Sequence, residues 1–156
     1  AGMIGMIEFA SATMYRYSTI NVDMLRENLS DDNLVGQAIE LFVNSYVRSM
    51  PQGKITTFGN RSLPEAVLVE VRSDQPVNMA AAFEEPIAPA ASGFAQRAVD
   101  RFVEFESQMR ELTGLVPDRS FVSWTTPRGE SFSVLGNKVG LIDLGSATAS
   151  AVRGMQ

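Results

Sequence analysis

Apolar and polar positions change period several times along the chain. Residues 3–9 (MIGMIEF) and 12–22 (ATMYRYSTINV) are rich in β-branched and aromatic types, and Met14, Arg16 and Ser18 alternate with Tyr15, Tyr17 and Thr19. Period-two patterning predicts a long strand, bent near Ala10 and Ser11. A short turn of helix is expected over Asp23 to Leu29. Ser30, Asp31 and Asp32 then predict a helix start, because Ser caps free backbone N–H groups and acids complement the positive helix end. Leu34, Ala38, Leu41, Phe42 and Tyr46 fall on one face at helical spacing, and Pro51, Gln52 and Gly53 end that helix. Lys54 to Pro64 reads as a loop, or at most a ragged strand.

Glu65 to Arg72 (EAVLVEVR) carries the clearest strand pattern, Val-rich and bounded by Pro64 and by Ser73 and Asp74. Residues 77–83 suit a short helix, and Glu85 to Ser92, with two Pro and three Ala, a loop. A second long helix is expected from Ser92 to Leu112, with Phe94, Ala98, Phe102, Phe105, Met109 and Leu112 on one face. Thr113, Gly114 and Pro117 stop it. A hairpin is predicted next, Ser120 to Thr126 and Glu130 to Leu135 around a turn at Pro127 to Gly129. Val139 to Leu144 reads as a short strand, and the small, polar tail from Ser146 as helical or disordered. The order strand, helix, strand, helix with a β-rich C-terminal part predicts an α+β fold. It matches half of a ferredoxin-like or RNA-recognition-motif sheet. No repeat or long linker divides the chain, so residues 1–156 are read as a single domain.

Composition narrows the chemistry. The 156 residues include 45% hydrophobic types, too many for a disordered chain. There is no Cys and no His, which removes disulfides, thiolate nucleophiles and the commonest metal ligand and general base. No apolar run is long enough to span a membrane, and no basic-then-apolar leader is present. A cytoplasmic protein is expected. The net charge of -5 argues against an obvious nucleic-acid binder, since phosphate contacts need Lys and Arg.

Catalysis is weakly supported. Asp31–Asp32 and Glu84–Glu85 are sequence neighbours, which do not converge across a substrate as paired acids must. Ser has no His base, and the only lysines, Lys54 and Lys138, lack a Ser-x-x-Lys setting. Residues 27–33 are acidic without calcium-loop spacing. The chain is therefore expected to be no enzyme and to hold no metal or cofactor. Arg48 to Arg72 is different, because there Arg48, Lys54, Arg61 and Arg72 outnumber Glu65 and Glu70. The loop 54–61 (KITTFGNR) sets Lys54 and Arg61 beside Thr56, Thr57, Asn60 and Phe58, a mixture able to bind phosphate and stack a base; a solvated loop is the plain alternative. Tyr15, Arg16 and Tyr17 could stack bases on a sheet. The favoured reading buries the tyrosines under a helix and exposes Arg16.

Two blocks carry a family resemblance. The first is Gly5, Glu8, Phe9 and Ser11, then Tyr15, Arg16, Tyr17, Ile20 and Asn21, then Leu25, Glu27, Asn28 and Leu29. The second is Ser73, Asp74 and Pro76, then Met79, Ala80, Ala82, Phe83 and Glu84. In order and spacing they resemble the CasC backbone subunit of Cascade, the type I-E CRISPR surveillance complex. No motif matches from Leu115 onward. The resemblance implies a non-catalytic protein that polymerises along a CRISPR guide RNA in antiviral defence. Its hand-like shape has an RNA-recognition-motif-like palm, helical fingers and a β-hairpin thumb. The guide would pair with a target DNA strand, and partners would be further copies and other Cascade subunits.

The chain starts at Ala1 and shows one sheet half, so it is expected to be a C-terminal palm portion of a longer subunit. Residues 1–6 would be the returning limb of the thumb. There Met3, Ile4 and Gly5 match, with Ile4 wedging beside a base and Gly5 allowing close backbone approach. Met3 and Ile4 suit the start of a buried strand equally well. Arg16, Lys54 and Arg61 complete the candidate RNA contacts. The reading from another class is a stand-alone ferredoxin-like interaction domain without nucleic-acid binding.

Overall fold

The computed structural model describes residues 12–91 and 93–155. Helix α1 (Val22–Leu29) starts where the Asn21 side chain accepts the Met24 N–H, and it ends at Ser30, whose φ of 51° is left-handed. Helix α2 (Asp32–Arg48) follows at once, with Asp31 as its cap, accepting the N–H groups of Asn33 and Leu34. The expected cap, Ser30, instead closes α1. Two helices that abut within two residues leave one residue to end the first and one to start the second.

The buried stripe of α2 also differs from expectation. Val35, Ile39, Val43 and Val47 are buried, whereas Leu34, Leu41 and Phe42 are exposed. Both sets recur at helical spacing, so the sequence offers two apolar faces. The valine stripe is the one that packs on strand β1 (Ala66–Val71) and helix α5 (Leu144–Arg153). Its small side chains let α5 come close. At Gly145 a Cβ would stand 2.8 Å from the Glu40 carbonyl oxygen of α2. Each fully buried Val or Ile contributes about 1.5–3 kcal/mol.

Strand β1 is covered on both faces, which explains its continuous apolar run. Val67, Val69 and Val71 face the α2–α5 cluster, and Ala66 and Leu68 face a second cluster with helix α4 (Gly93–Thr113). The predicted strand at 65–72 is found at Ala66–Val71, and both long helices lie where the pattern put them. A short helix α3 (Ile55–Phe58) interrupts the predicted loop 54–64, and a 3-10 turn covers Met79–Phe83. Strand β2 (Arg119–Trp124) pairs antiparallel with β1, and β3 (Asn137–Lys138) pairs parallel with β2. The fold is α+β, with one sheet among the described residues, in the order β1-β2-β3.

Three sequence expectations are corrected. Residues 12–21 lie outside any ladder, and helix begins at Val22, so no strand runs over 12–22 among the described residues; residues 3–9 fall outside them. The hairpin after Ser120 is absent. Its second arm is a 3-10 helix, Pro127–Val134, because Phe132 and Leu135 enter the same cluster. Three-residue spacing puts them on one side, where a strand would send them to opposite faces. No strand runs over 139–144; the short strand lies before it, at Asn137–Lys138, and Leu144 opens α5. The C-terminal part is thus more helical than β. No helix among the described residues is long and apolar enough to cross a membrane.

Candidate nucleic-acid interface

The cationic loop is built at the C-terminal end of α2. Lys54 sits at φ 58° and Gly59 at φ 61°, so two left-handed residues bracket α3. Gly59 donates its N–H to the Ile55 carbonyl at 2.8 Å, and the Asn60 amide reaches the Gly53 carbonyl at 3.5 Å. These bonds close the loop on itself. Lys54, Asn60 and Arg61 are exposed, and Phe58 is 37% exposed. No ion pair involves Lys54 or Arg61 among the described residues. Two cations, an amide and an aromatic ring therefore share one accessible loop, a combination suited to a phosphate backbone and a stacked base.

Arg16 lies at the same end of α2 but is occupied. Its guanidinium stands 4.3 Å from the centre of the Tyr46 ring and donates to the Ser49 carbonyl and to Met50 Sδ. Phe42 stacks on Tyr46 with ring centres 5.8 Å apart. Arg16 therefore anchors segment 12–21, which joins no helix or ladder, to the start of the loop. Phe42 and Tyr46, which the spacing sets on one face of α2, together support a cation as an i, i+4 pair.

The tyrosines divide. Tyr15 packs between Phe83 and Phe102, with ring centres at 5.7 and 6.0 Å. Its hydroxyl accepts the Met79 N–H at 3.1 Å and donates to Asn78. Burial pushes that hydroxyl above its usual pKa. Tyr17, expected in the core, is 39% exposed. Met3, Ile4 and Gly5 lie outside the described residues.

Three of the four acids the sequence weighed for catalysis have structural partners. Asp31 caps α2, Asp32 pairs with Arg26 at 3.4 Å, and Glu85 stands 3.8 Å from Arg101. No cluster of three or more metal-ligating side chains occurs among the described residues. Arg72, counted with the cations, is buried beside Glu70 and Asp74 and donates to the Leu115 carbonyl at 2.7 Å.

Sequence reasoning missed a buried charge network. Arg110 on α4 joins Glu106 at 2.6 Å and Glu70 on β1 at 2.7 Å, and it donates to the Leu135 carbonyl at 3.0 Å. The Glu106 side chain is fully buried, and its Oε2 takes no hydrogen bond among the described residues. Burial, then the charge of Glu70, push Glu106 up to about 7. The Glu106–Arg110 spacing of four is the one signal that could have revealed it. Lys138 over Trp124, at 4.2 Å, left no such trace, since the two meet only through sheet pairing.

A family model described as CT1975-like protein matches residues 1–140. No curated protein matches. A solved chain titled "CRISPR RNA-guided surveillance complex" superposes with a TM-score of 0.76, at 24% identity over 85% of this chain and 50% of that one. A second, titled "CRISPR RNA-guided surveillance complex, pre-nicking", gives a TM-score of 0.69 at 26% identity, over 83% of this chain and 39% of that one. The chain thus spans half or less of the solved chains it matches. The family match covers both blocks of the CasC resemblance.

Proposed function

The chain belongs to the CT1975-like protein family, and from that membership we propose that it is a non-catalytic CRISPR RNA-binding backbone subunit of a Cascade-type complex. It polymerises along the guide RNA, in the cytoplasm, and presents the guide to a target DNA strand. Its sheet and α2 are the RNA-recognition-motif-like palm. Its partners are the guide, further copies of itself and other subunits of the complex. The fold likeness to chains titled as surveillance complexes supports this reading. The observation that carries it within the chain is the accessible loop holding Lys54 and Arg61 without carboxylate partners among the described residues. In this reading Lys54 and Arg61 meet phosphate, Arg16 holds the loop in place, and Met3, Ile4 and Gly5 approach a displaced base.

The test is binding of a repeat-spacer RNA by the complete translation product of this reading frame, across a salt series. Log affinity falls with log salt by about 0.7 per phosphate contact on a single strand. Changing Lys54→Ala and Arg61→Ala together is expected to flatten that slope by about 1.4. An unchanged slope returns the loop to plain solvent. No affinity for the RNA at all overturns the reading and favours a protein-interaction domain.

A further inference from the structure

The loop after α2 contains two left-handed residues, and they are filled in opposite ways. Gly59, at φ 61°, has no Cβ and meets no steric penalty there. Lys54, at φ 58°, does. In that conformation a Cβ crowds the following carbonyl oxygen, so the residue is strained. Glycine relieves the strain, and a glycine stands one residue away. The Ile55 N–H donates to the Gln52 carbonyl at 3.1 Å, so residues 52–55 form a turn in which Lys54 is third. Turns whose third residue alone has positive φ favour glycine at that place. Gly53 is second in the turn, and its φ is not positive. A Cβ on Gly53 would meet nothing within 4 Å, so neither backbone nor space requires glycine there. Glycine and lysine thus occupy each other's favoured positions.

The packing of the chain gives no reason for the lysine. Ser30 is the other non-glycine residue at positive φ among the described residues, and its side chain works locally. Its N–H closes α1 on the Arg26 carbonyl at 2.8 Å, and its hydroxyl donates to the Glu27 carbonyl at 3.4 Å. At Lys54 only the backbone is engaged. Its carbonyl accepts the N–H groups of Thr57 and Phe58, each at 3.0 Å, and a glycine would offer the same carbonyl. The Lys54 side chain caps nothing, is exposed, and joins no ion pair among the described residues. A strained residue whose side chain serves no contact within the fold points to a use outside it.

We propose that the strained turn is kept because it aims the Lys54 ammonium at one phosphate of a bound single strand, so that position 54, and not merely a positive charge in this loop, makes the contact. The loop gives up stability for the direction of one cation. Arg61 has no positive φ and carries no such strain, so the two cations of the loop differ in how tightly the backbone fixes them. The inference rests on the RNA-binding reading of the loop and adds to it which backbone position the phosphate selects. It also makes a statement about the unbound protein, that glycine is the more stable residue at 54, which can be measured without RNA.

The test is the exchange variant Gly53→Lys with Lys54→Gly, made in the complete translation product of this reading frame. It preserves composition, net charge and the entropy of the unfolded chain, so a change in Tm reports the folded backbone. Without RNA, Tm is expected to rise by about 2 °C. Affinity for a repeat-spacer RNA is expected to fall about fivefold at about 0.1 M salt, with a salt slope shallower by about 0.7, one phosphate contact. Lys54→Gly alone is expected to give the same shallower slope. A Tm that stays level or falls means that the lysine is not strained, and overturns the proposal. A higher Tm with affinity and slope unchanged from a parent that binds means that a charge anywhere in the turn serves, and overturns this inference alone. A parent that ignores the RNA overturns the RNA-binding reading and the role of the ammonium with it.

Discussion

The two faces of strand β1 are built on different physics. Toward α2 and α5 the packing is apolar and close, with Val35, Ile39 and Val43 against Val67, Val69 and Val71. Toward α4 the aromatic residues Phe102 and Phe132, with ring centres 5.0 Å apart, share the face with a buried network of Glu70, Glu106, Arg72 and Arg110. The first face is held by burial alone, which does not respond to pH. The second couples packing to protonation, because two carboxylates stand together with one oxygen unbonded. One strand can thus carry both a pH-insensitive and a pH-sensitive half of the same core.

The largest break falls on the apolar face. Ile39→Ala empties a site that is 2% exposed and is expected to cost about 4 kcal/mol. Urea unfolding should show the same loss at pH 5 and at pH 8; a loss that changes with pH would erase the contrast between the faces. Next comes Arg110→Ala, which leaves Glu70 and Glu106 without their shared cation. Breaking a buried pair costs about 3 kcal/mol, here at pH 8, and less at pH 5, where a proton on Glu106 relieves the repulsion. An equal cost at both values would mean that Arg110 acts only by packing.

The smallest effect sharpens the comparison most. Glu106 titrates at about 7 when folded against an ordinary 4.5. Between those values the folded state binds more protons than the unfolded one, so stability is full below about 4.5 and declines as pH rises through 7. Glu106→Gln keeps the shape without the charge. Its Tm is expected to match the parent near pH 5, to exceed it by a few degrees at pH 8, and to vary less with pH. A variant whose Tm falls in parallel with the parent's would remove Glu106 as the source.

Much of the fold was legible because helix ends are local chemistry. Pro51, Gly114 and Pro117 mark boundaries through their own dihedrals and missing or redirected hydrogen bonds, without help from distant residues. The Ser30–Asp32 run located the start of α2, although Asp31, not Ser30, caps it. The 65–72 strand was legible because both its faces are covered, which leaves an unbroken Val-rich run. The loop carrying Lys54 and Arg61 was readable as a cluster of types. That its cations go unpaired among the described residues depends on where the carboxylates lie, and no local pattern contains that.

The sequence by itself determined where α2, α4 and strand β1 lie, and which chemistries a chain without His or Cys excludes. Tertiary structure decided which apolar stripe of α2 is inside, since α5 and β1 together choose between two faces of equal period. It turned residues 127–134 from a strand into a 3-10 helix, because Phe132 and Leu135 had to enter one cluster. It also brought Glu70 to Arg110, forty residues apart, and Arg16 to Tyr46. Periodicity reports which side of an element is apolar; contacts between elements close together in space and far apart in sequence decide what that side meets.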